Sequence, residues 1–188
     1  MRRLVLARTI GIALALGGMT IPAAHGAPPA TLSSRIATPG PDIIGHFESA
    51  GMRSTRPYVL TPAELAQVEK ALARLPALHR RVLETHLRHL GFVEGVPGHG
   101  TALTSKVGDT MQFDITVRAS ALRESLDEFL TTKERRLFEA DGSGQSVSFE
   151  TDGADALTYL LLHEVTHVLD ASRELTSQPG NAFGSKIW

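Results

Sequence analysis

His163, Glu164 and His167 form the motif H-E-x-x-H towards the end of the chain. Residues four apart in an α-helix lie on one face about one turn apart, so both imidazoles can reach a single tetrahedral zinc ion. Glu164 lies about 100° round the helix from His163, where its carboxylate can take a proton from a zinc-bound water. Zinc lowers the pKa of that water, which then attacks a peptide carbonyl. The motif therefore predicts zinc-dependent hydrolysis, with two His ligands and Glu164 as general base.

The element that must position this motif is a helix predicted over residues 153–171, with Asp152 as its N-cap. Apolar residues surround the motif on nearly every side of this helix: Leu157, Tyr159, Leu160, Leu161, Leu162, Val165, Val168 and Leu169. Such a helix is expected to be buried. Burying two His and a Glu costs free energy unless zinc and hydrogen-bond partners satisfy them. The alternative is a core helix whose polar side chains find hydrogen bonds without a metal.

A short strand is predicted over residues 145–151, directly before the motif helix. This order resembles the zincin metallopeptidases, in which an edge strand precedes the active-site helix; the resemblance covers only residues 145–171. It implies a zincin-like small mixed sheet whose edge strand pairs with the substrate backbone. By that resemblance, residues 146–150 would bind the peptide substrate.

The third protein ligand of the zinc ion separates the zincin subfamilies. Metzincins continue as H-E-x-x-H-x-x-G-x-x-H, whereas Asp170 and Arg173 stand at those two positions here, which excludes that group. The pattern H-E-x-x-H-x-x-D is similar to the gluzincin-like group that includes lethal factor and the Pro-Pro endopeptidases. That resemblance implies a third ligand from a Glu on a later helix. Only 21 residues follow His167, so we expect the C-terminal part of the domain to be incomplete.

Two carboxylates follow the motif. Asp170 lies one turn beyond His167, where a third ligand would crowd a tetrahedral ion, so we expect it to orient a zinc-bound His through the free ring N–H. Its alternative is a solvated or salt-bridged carboxylate at the helix end. Glu174 can ligate only if the helix ends near Ser172 and the chain turns back. The sequence therefore leaves the third ligand unidentified.

Several other side chains are weaker candidates for the site. His99 lies in a Gly/Pro-rich loop, where exposure to solvent is the simpler interpretation. His86 and His89 are three apart on a helix predicted over residues 76–90, and an exposed polar face explains both. Tyr159 lies one turn before the motif, where core packing is expected.

The N-terminal part of the chain predicts export. Three arginines precede a short apolar run over residues 10–19, and small residues follow it, so residues 1–26 are predicted to be a signal peptide. The run is shorter than the roughly 20 residues of a membrane-spanning helix, so we expect no stable membrane insertion after cleavage. Residues 27–41 are rich in Ala, Pro, Ser and Thr and are predicted to be a flexible linker. The domain is placed at 42–188, and the protein is expected to be secreted or periplasmic.

The composition is that of a globular protein, with 42% hydrophobic and 21% charged residues. The net charge is −1 and there is no long basic run, so we expect no nucleic-acid partner. Because the chain has no cysteine, a cysteine zinc site is excluded. The expected partner is a protein or peptide substrate, whose identity the sequence does not indicate, as it does not indicate the oligomeric state.

The order of elements predicts an α+β fold with a helical N-terminal part and a small mixed sheet. Thr61 and Glu64 form a capping box that begins a helix. Between residues 111 and 117, apolar and polar side chains alternate, which predicts a half-buried strand. Together with the motif, the sequence predicts a zinc metallopeptidase of this class. The alternative is a zinc-binding but non-catalytic, degenerate peptidase-like protein that acts by binding.

Overall fold

The computed structural model describes residues 31–96, 101–137 and 146–175. Its α-helices are α1 (Pro41–Ser49), α2 (Pro62–Arg74), α3 (Ala77–His86), α4 (Leu126–Arg135) and α5 (Ala156–Arg173). Its strands are β1 (Arg56–Pro57), β2 (Leu87–Glu94), β3 (Ala102–Lys106) and β4 (Phe113–Arg118). Helices packed on one mixed sheet agree with the predicted α+β class. The predicted signal peptide lies outside the described residues.

The strands form one sheet in the order β1-β2-β4-β3. β2 runs parallel to β4, while β1 pairs antiparallel with β2 and β3 pairs antiparallel with β4. β3 is therefore the edge strand on one side of the sheet. It also contacts α5, the helix that carries the motif.

The predicted strand over residues 111–117 is confirmed as β4, but it is buried on both faces. Phe113, Ile115 and Val117 pack into the main core together with α5. Asp114 and Thr116, on the opposite face, are also buried. This second face is buried by tertiary packing, because the N-terminal part of the described chain covers it.

This second face of the sheet carries a small apolar cluster built from α1. Ile43 and Phe47 of α1 pack with Val93 of β2, and Leu103 of β3 lies against them. The end of the predicted linker also contacts the domain: Leu32 and Ile36 pack against the main core. Of the segment 27–41 expected to be flexible, the described part from residue 31 thus lies on the folded protein.

The helix predicted over residues 76–90 is wrong over residues 87–90. α3 ends at His86, and the chain continues directly as β2. Leu87 and Leu90 suit a buried helix face and a buried strand equally well, so helical periodicity could not separate the two. Residues from Leu87 to Val93 form a strand because they pair with β4.

α5 crosses the core face of the sheet and begins three residues later than predicted. Its N-cap is Asp155, whose Oδ1 accepts a hydrogen bond from the Thr158 backbone N–H at 2.7 Å. Asp152, the predicted cap, has a left-handed backbone with φ 53° in the preceding turn. Among the described residues, no helix is both long enough and apolar enough to cross a membrane.

Candidate metal centre

His163 and His167 lie side by side on α5, one helical turn apart. Their Nε2 atoms are 3.1 Å apart, and the two rings are nearly perpendicular at 85°. Both side chains are exposed to solvent. The helix therefore brings together the two predicted ligands with their Nε2 atoms next to each other.

This separation can be compared with that required by zinc. Two nitrogens bound at 2.0–2.1 Å in a tetrahedral site lie about 3.3–3.4 Å apart. The observed 3.1 Å differs from that value by a few tenths of an ångström, which small ring rotations can supply. The donor chemistry also fits, since neutral imidazoles are common zinc ligands. The two His residues thus fit a zinc ion without a change in the helix.

The same contact also fits a hydrogen bond between the rings. One Nε2 would carry a proton and donate it to the unprotonated Nε2 of the other ring. The tautomers are not determined by heavy-atom positions, so the geometry is compatible with both states. Metal binding would replace this hydrogen bond by two metal–nitrogen bonds.

The expectation that the whole motif is buried is wrong for the two histidines. α5 has an exposed strip formed by Leu162, His163, Thr166 and His167, and its remaining sides pack against α2, α3, α4 and the sheet. Burial therefore supplies no argument for zinc at the His pair. An exposed pair is instead accessible to an ion and to a substrate.

Glu164, in contrast, is buried, with 5% of its surface exposed. Its Oε2 accepts a hydrogen bond of 2.7 Å from the Thr104 hydroxyl on β3. A buried carboxylate needs such a donor because its desolvation is costly. Thr104 did not stand out in the sequence, where it belongs to no recognisable motif.

β3 is an edge strand that contacts the motif helix, whereas the sequence predicted the edge strand over residues 145–151. Residues 146–151 form no strand in the structure, so the predicted edge strand there is wrong. They are held instead by α4: the backbone N–H of Phe149 donates to Thr131 and that of Thr151 to Asp127. These side-chain acceptors replace the ladder of a sheet.

The hydrogen bonds that flank β3 define which of its backbone groups face outward. Arg118 N–H donates to the Thr101 carbonyl, and Val107 N–H donates to the Gln112 carbonyl. Antiparallel pairs alternate between bonded and non-bonded positions. Leu103 and Ser105 therefore bond with β4. The N–H and C=O groups that point away from β4, towards the edge of the sheet, belong to Ala102, Thr104 and Lys106.

The described residues do not supply a third ligand. No group of three His, Cys, Asp or Glu side chains placed to hold a metal is found within residues 31–96, 101–137 and 146–175. α5 ends at Arg173, and Glu174 adopts a left-handed conformation with φ 51°. Although the chain turns there, Glu174 does not join the His pair in such a group. The orienting role expected of Asp170 stays a prediction.

The other predicted candidates lie apart from the pair or outside the described residues. His99 belongs to the latter. His86 ends α3, with its Nδ1 2.9 Å from the Met111 carbonyl, whereas His89 is in β2, so the two do not share a helix. The Tyr159 ring packs against Phe129 at 5.8 Å between centroids, as expected of core packing.

A third histidine, His79, flanks the exposed strip of α5. His79 of α3 places its Nε2 3.3 Å from the Thr166 hydroxyl, and its Nδ1 is buried with no hydrogen-bond partner among the described residues. Thr166 itself donates to the Leu162 carbonyl. His79 therefore sits beside the motif on the α3 side, while Thr104 lies on the β3 side.

The chain was compared with models of protein families, with curated proteins and with solved structures, and none of them matches it.

Proposed function

We propose that this protein is a zinc-dependent peptidase in which His163 and His167 bind the metal through Nε2 and Glu164 acts as general base. The observation that carries the proposal is the 3.1 Å separation of the two Nε2 atoms. A buried carboxylate on the next residue, held by a hydroxyl, supports it.

The roles of the side chains follow from their chemistry. A bound zinc ion would supply a Lewis acid that activates water at neutral pH. Glu164 would accept the proton of that water and deliver it to the leaving amine. Glu164 would accept that proton on its carboxylate, whose Oε2 already accepts a hydrogen bond from the Thr104 hydroxyl.

β3 is the proposed binding site for the substrate backbone. The outward N–H and C=O groups of Ala102, Thr104 and Lys106 can pair with an extended peptide, which would add one strand to the sheet. Because β3 contacts α5, such a peptide would run along the motif helix. Export by the predicted signal peptide would place this activity outside the cytoplasm.

A zinc-binding protein without catalysis is the second candidate. It is favoured by the ligand set, since the described residues hold no group of three side chains placed to bind a metal, and catalytic zinc sites have three protein ligands. Such a protein would bind zinc and a peptide without cleaving it.

Replacement of the proposed base separates these candidates. The purified full chain is loaded with zinc, its metal content is measured, and a peptide library is tested for cleavage. We expect Glu164→Gln to abolish cleavage while one zinc per chain remains bound. Glu48→Gln, on the exposed side of α1, is the matched control and should cleave like the wild type.

The other possible results of this experiment distinguish the two candidate functions or refute them. Full cleavage by Glu164→Gln would refute the assigned base. One bound zinc per wild-type chain with no cleavage of any library peptide would favour the non-catalytic protein. A wild-type chain that binds no zinc after preparation without chelators would refute both candidates.

A further inference from the structure

We infer that Thr104 is a positioning residue for Glu164: its hydroxyl holds the carboxylate in the orientation that catalysis needs. The inference rests on the proposed function and extends it to a residue on a different element. Thr104 and Glu164 are 60 positions apart in the chain and meet only because β3 packs on α5.

The hydroxyl of Thr104 has two acceptors within reach, both on Glu164. Oε2 is 2.7 Å away and the backbone carbonyl is 3.3 Å away. A hydroxyl has one proton to donate. The contact to the carboxylate lies in the usual range for an O–H···O hydrogen bond, whereas the contact to the carbonyl is longer than that range. The proton of Thr104 is therefore assigned to Oε2.

A threonine on a strand is well suited to hold another side chain. Its β-branched side chain has few rotamers, so the backbone of β3 largely determines where the hydroxyl lies. Glu164, by comparison, has three side-chain torsions. The helix fixes its backbone and Thr104 fixes its far end, so a flexible side chain is held at both ends in a buried position.

The position of Thr104 on β3 links this contact to the substrate. In the antiparallel register its partner is Ile115 in a non-bonded pair, so the backbone N–H and C=O of Thr104 point away from β4. The side chain of Thr104 thus contacts the proposed base while its backbone faces the proposed peptide. One residue would set the position of both, which predicts an effect on turnover beyond an effect on folding.

Variants at position 104 test this assignment. Thr104→Val keeps the shape and the strand preference but removes the donor. Thr104→Ser keeps the donor. Ser105→Val, on the opposite face of the same strand, is the matched control. Zinc content, kcat and KM are measured with a peptide that the wild type cleaves.

We expect Thr104→Val to lower kcat by about tenfold to a hundredfold, the range for loss of one hydrogen bond to a charged group. Zinc content and KM should stay close to those of the wild type. Thr104→Ser should restore most of the kcat, and Ser105→Val should change it little. If Thr104→Val does not fold, Thr104→Ala replaces it, with the same expected loss and the same rescue by Ser.

A second measurement uses the metal-free protein and needs no activity. The unfolding free energies of Thr104→Val, Glu164→Ala and the double variant form a cycle, and we expect non-additivity because the two side chains are in contact. Additive values would overturn the contact.

Failure of the inference and failure of the proposed function give different results. An active wild type with an unchanged kcat in Thr104→Val overturns the role of Thr104 alone. A wild type without zinc-dependent cleavage overturns the proposed function and the role of Thr104 with it.

Discussion

His163 and His167 present their Nε2 atoms to each other across 3.1 Å on the solvent-exposed side of α5. The helix backbone holds the pair, so a metal that binds there needs no rearrangement of the fold. Binding by preformed groups avoids part of the ordering cost that flexible ligands incur. The pair is therefore the part of the site that should respond most directly to metal.

Single replacements of the pair should weaken zinc binding strongly. We expect His163→Ala and His167→Ala each to raise the Kd for zinc by more than about a hundredfold, since even the loss of a residue that supports a ligand costs about 10- to 100-fold. Competition with a chelating dye measures this Kd. His46→Ala, an exposed histidine on α1, is the control and should bind like the wild type. Unchanged affinity in either motif variant would contradict the assigned ligands.

The register of β3 can be tested with proline, which lacks an N–H. The N–H of Lys106 faces the edge of the sheet, so Lys106→Pro should leave the β3–β4 ladder intact. It should raise KM for a peptide by about twofold to tenfold, the range for one lost hydrogen bond. Ser105→Pro removes a ladder bond and should lower the free energy of unfolding in urea more than Lys106→Pro does. The reverse order of these stabilities would show that the register is shifted.

The N-cap of α5 should be Asp155 and not Asp152. Asp155 accepts a bond from the Thr158 N–H and pairs with Arg74 at 2.8 Å. Asp155→Ala should therefore reduce the free energy of unfolding by about 1 kcal/mol, the usual value for an N-cap. Asp152→Gly is the comparison, because glycine adopts the left-handed conformation of that residue freely. A larger loss from Asp152→Gly than from Asp155→Ala in urea unfolding would contradict this assignment.

Truncation of a buried residue of α5 should lower the free energy of unfolding more than truncation of its exposed neighbour. Leu161 is fully buried, whereas Leu162, the next residue, is 36% exposed. Leu161→Ala should cost about 2–5 kcal/mol of unfolding free energy because it leaves a cavity. Leu162→Ala should cost less than about 1 kcal/mol, since less apolar surface is lost. Equal losses in thermal or urea unfolding would place α5 differently on the sheet.

Acid should remove a contribution of Glu64 to stability. The backbone N–H of Thr61, in the capping box, lowers the pKa of Glu64 below its ordinary value of 4.5, and hydrogen bonds from Tyr58 and Thr61 and the charge of Arg123 add to this. A carboxyl whose pKa is lower in the folded state stabilises the fold above its unfolded pKa, and the contribution is lost as the pH falls through the folded value. Wild type should be more stable than Glu64→Gln at neutral pH, with the difference shrinking below about pH 4.5.

Unfolding of both proteins in urea, measured from pH 7 to pH 3, checks this expectation. Gln keeps the shape of the capping box, so the comparison isolates the charge. A stability difference that is constant over this range would contradict the shift.

Helices and strands with strong local determinants were predictable. The capping box of Thr61 and Glu64 begins α2 where the sequence places it, and both of its hydrogen bonds are present. The alternation after residue 111 predicts β4. The strand predicted over residues 145–151 had only a short period-2 pattern, and side chains of α4 bind its backbone instead. Short apolar patterns indicate which residues are buried, but not which element packs against them.

The spacing of His163 and His167 is sufficient to predict their arrangement, because residues four apart in any α-helix lie on the same face. The structure shows this local geometry directly in the Nε2 separation. Tertiary packing, in contrast, determines which side of α5 is exposed, that Glu164 is buried, and that Thr104 lies against it. These relationships depend on how β3 and α3 pack against the helix. Packing of this kind joins residues distant in the chain, so no local spacing encodes it.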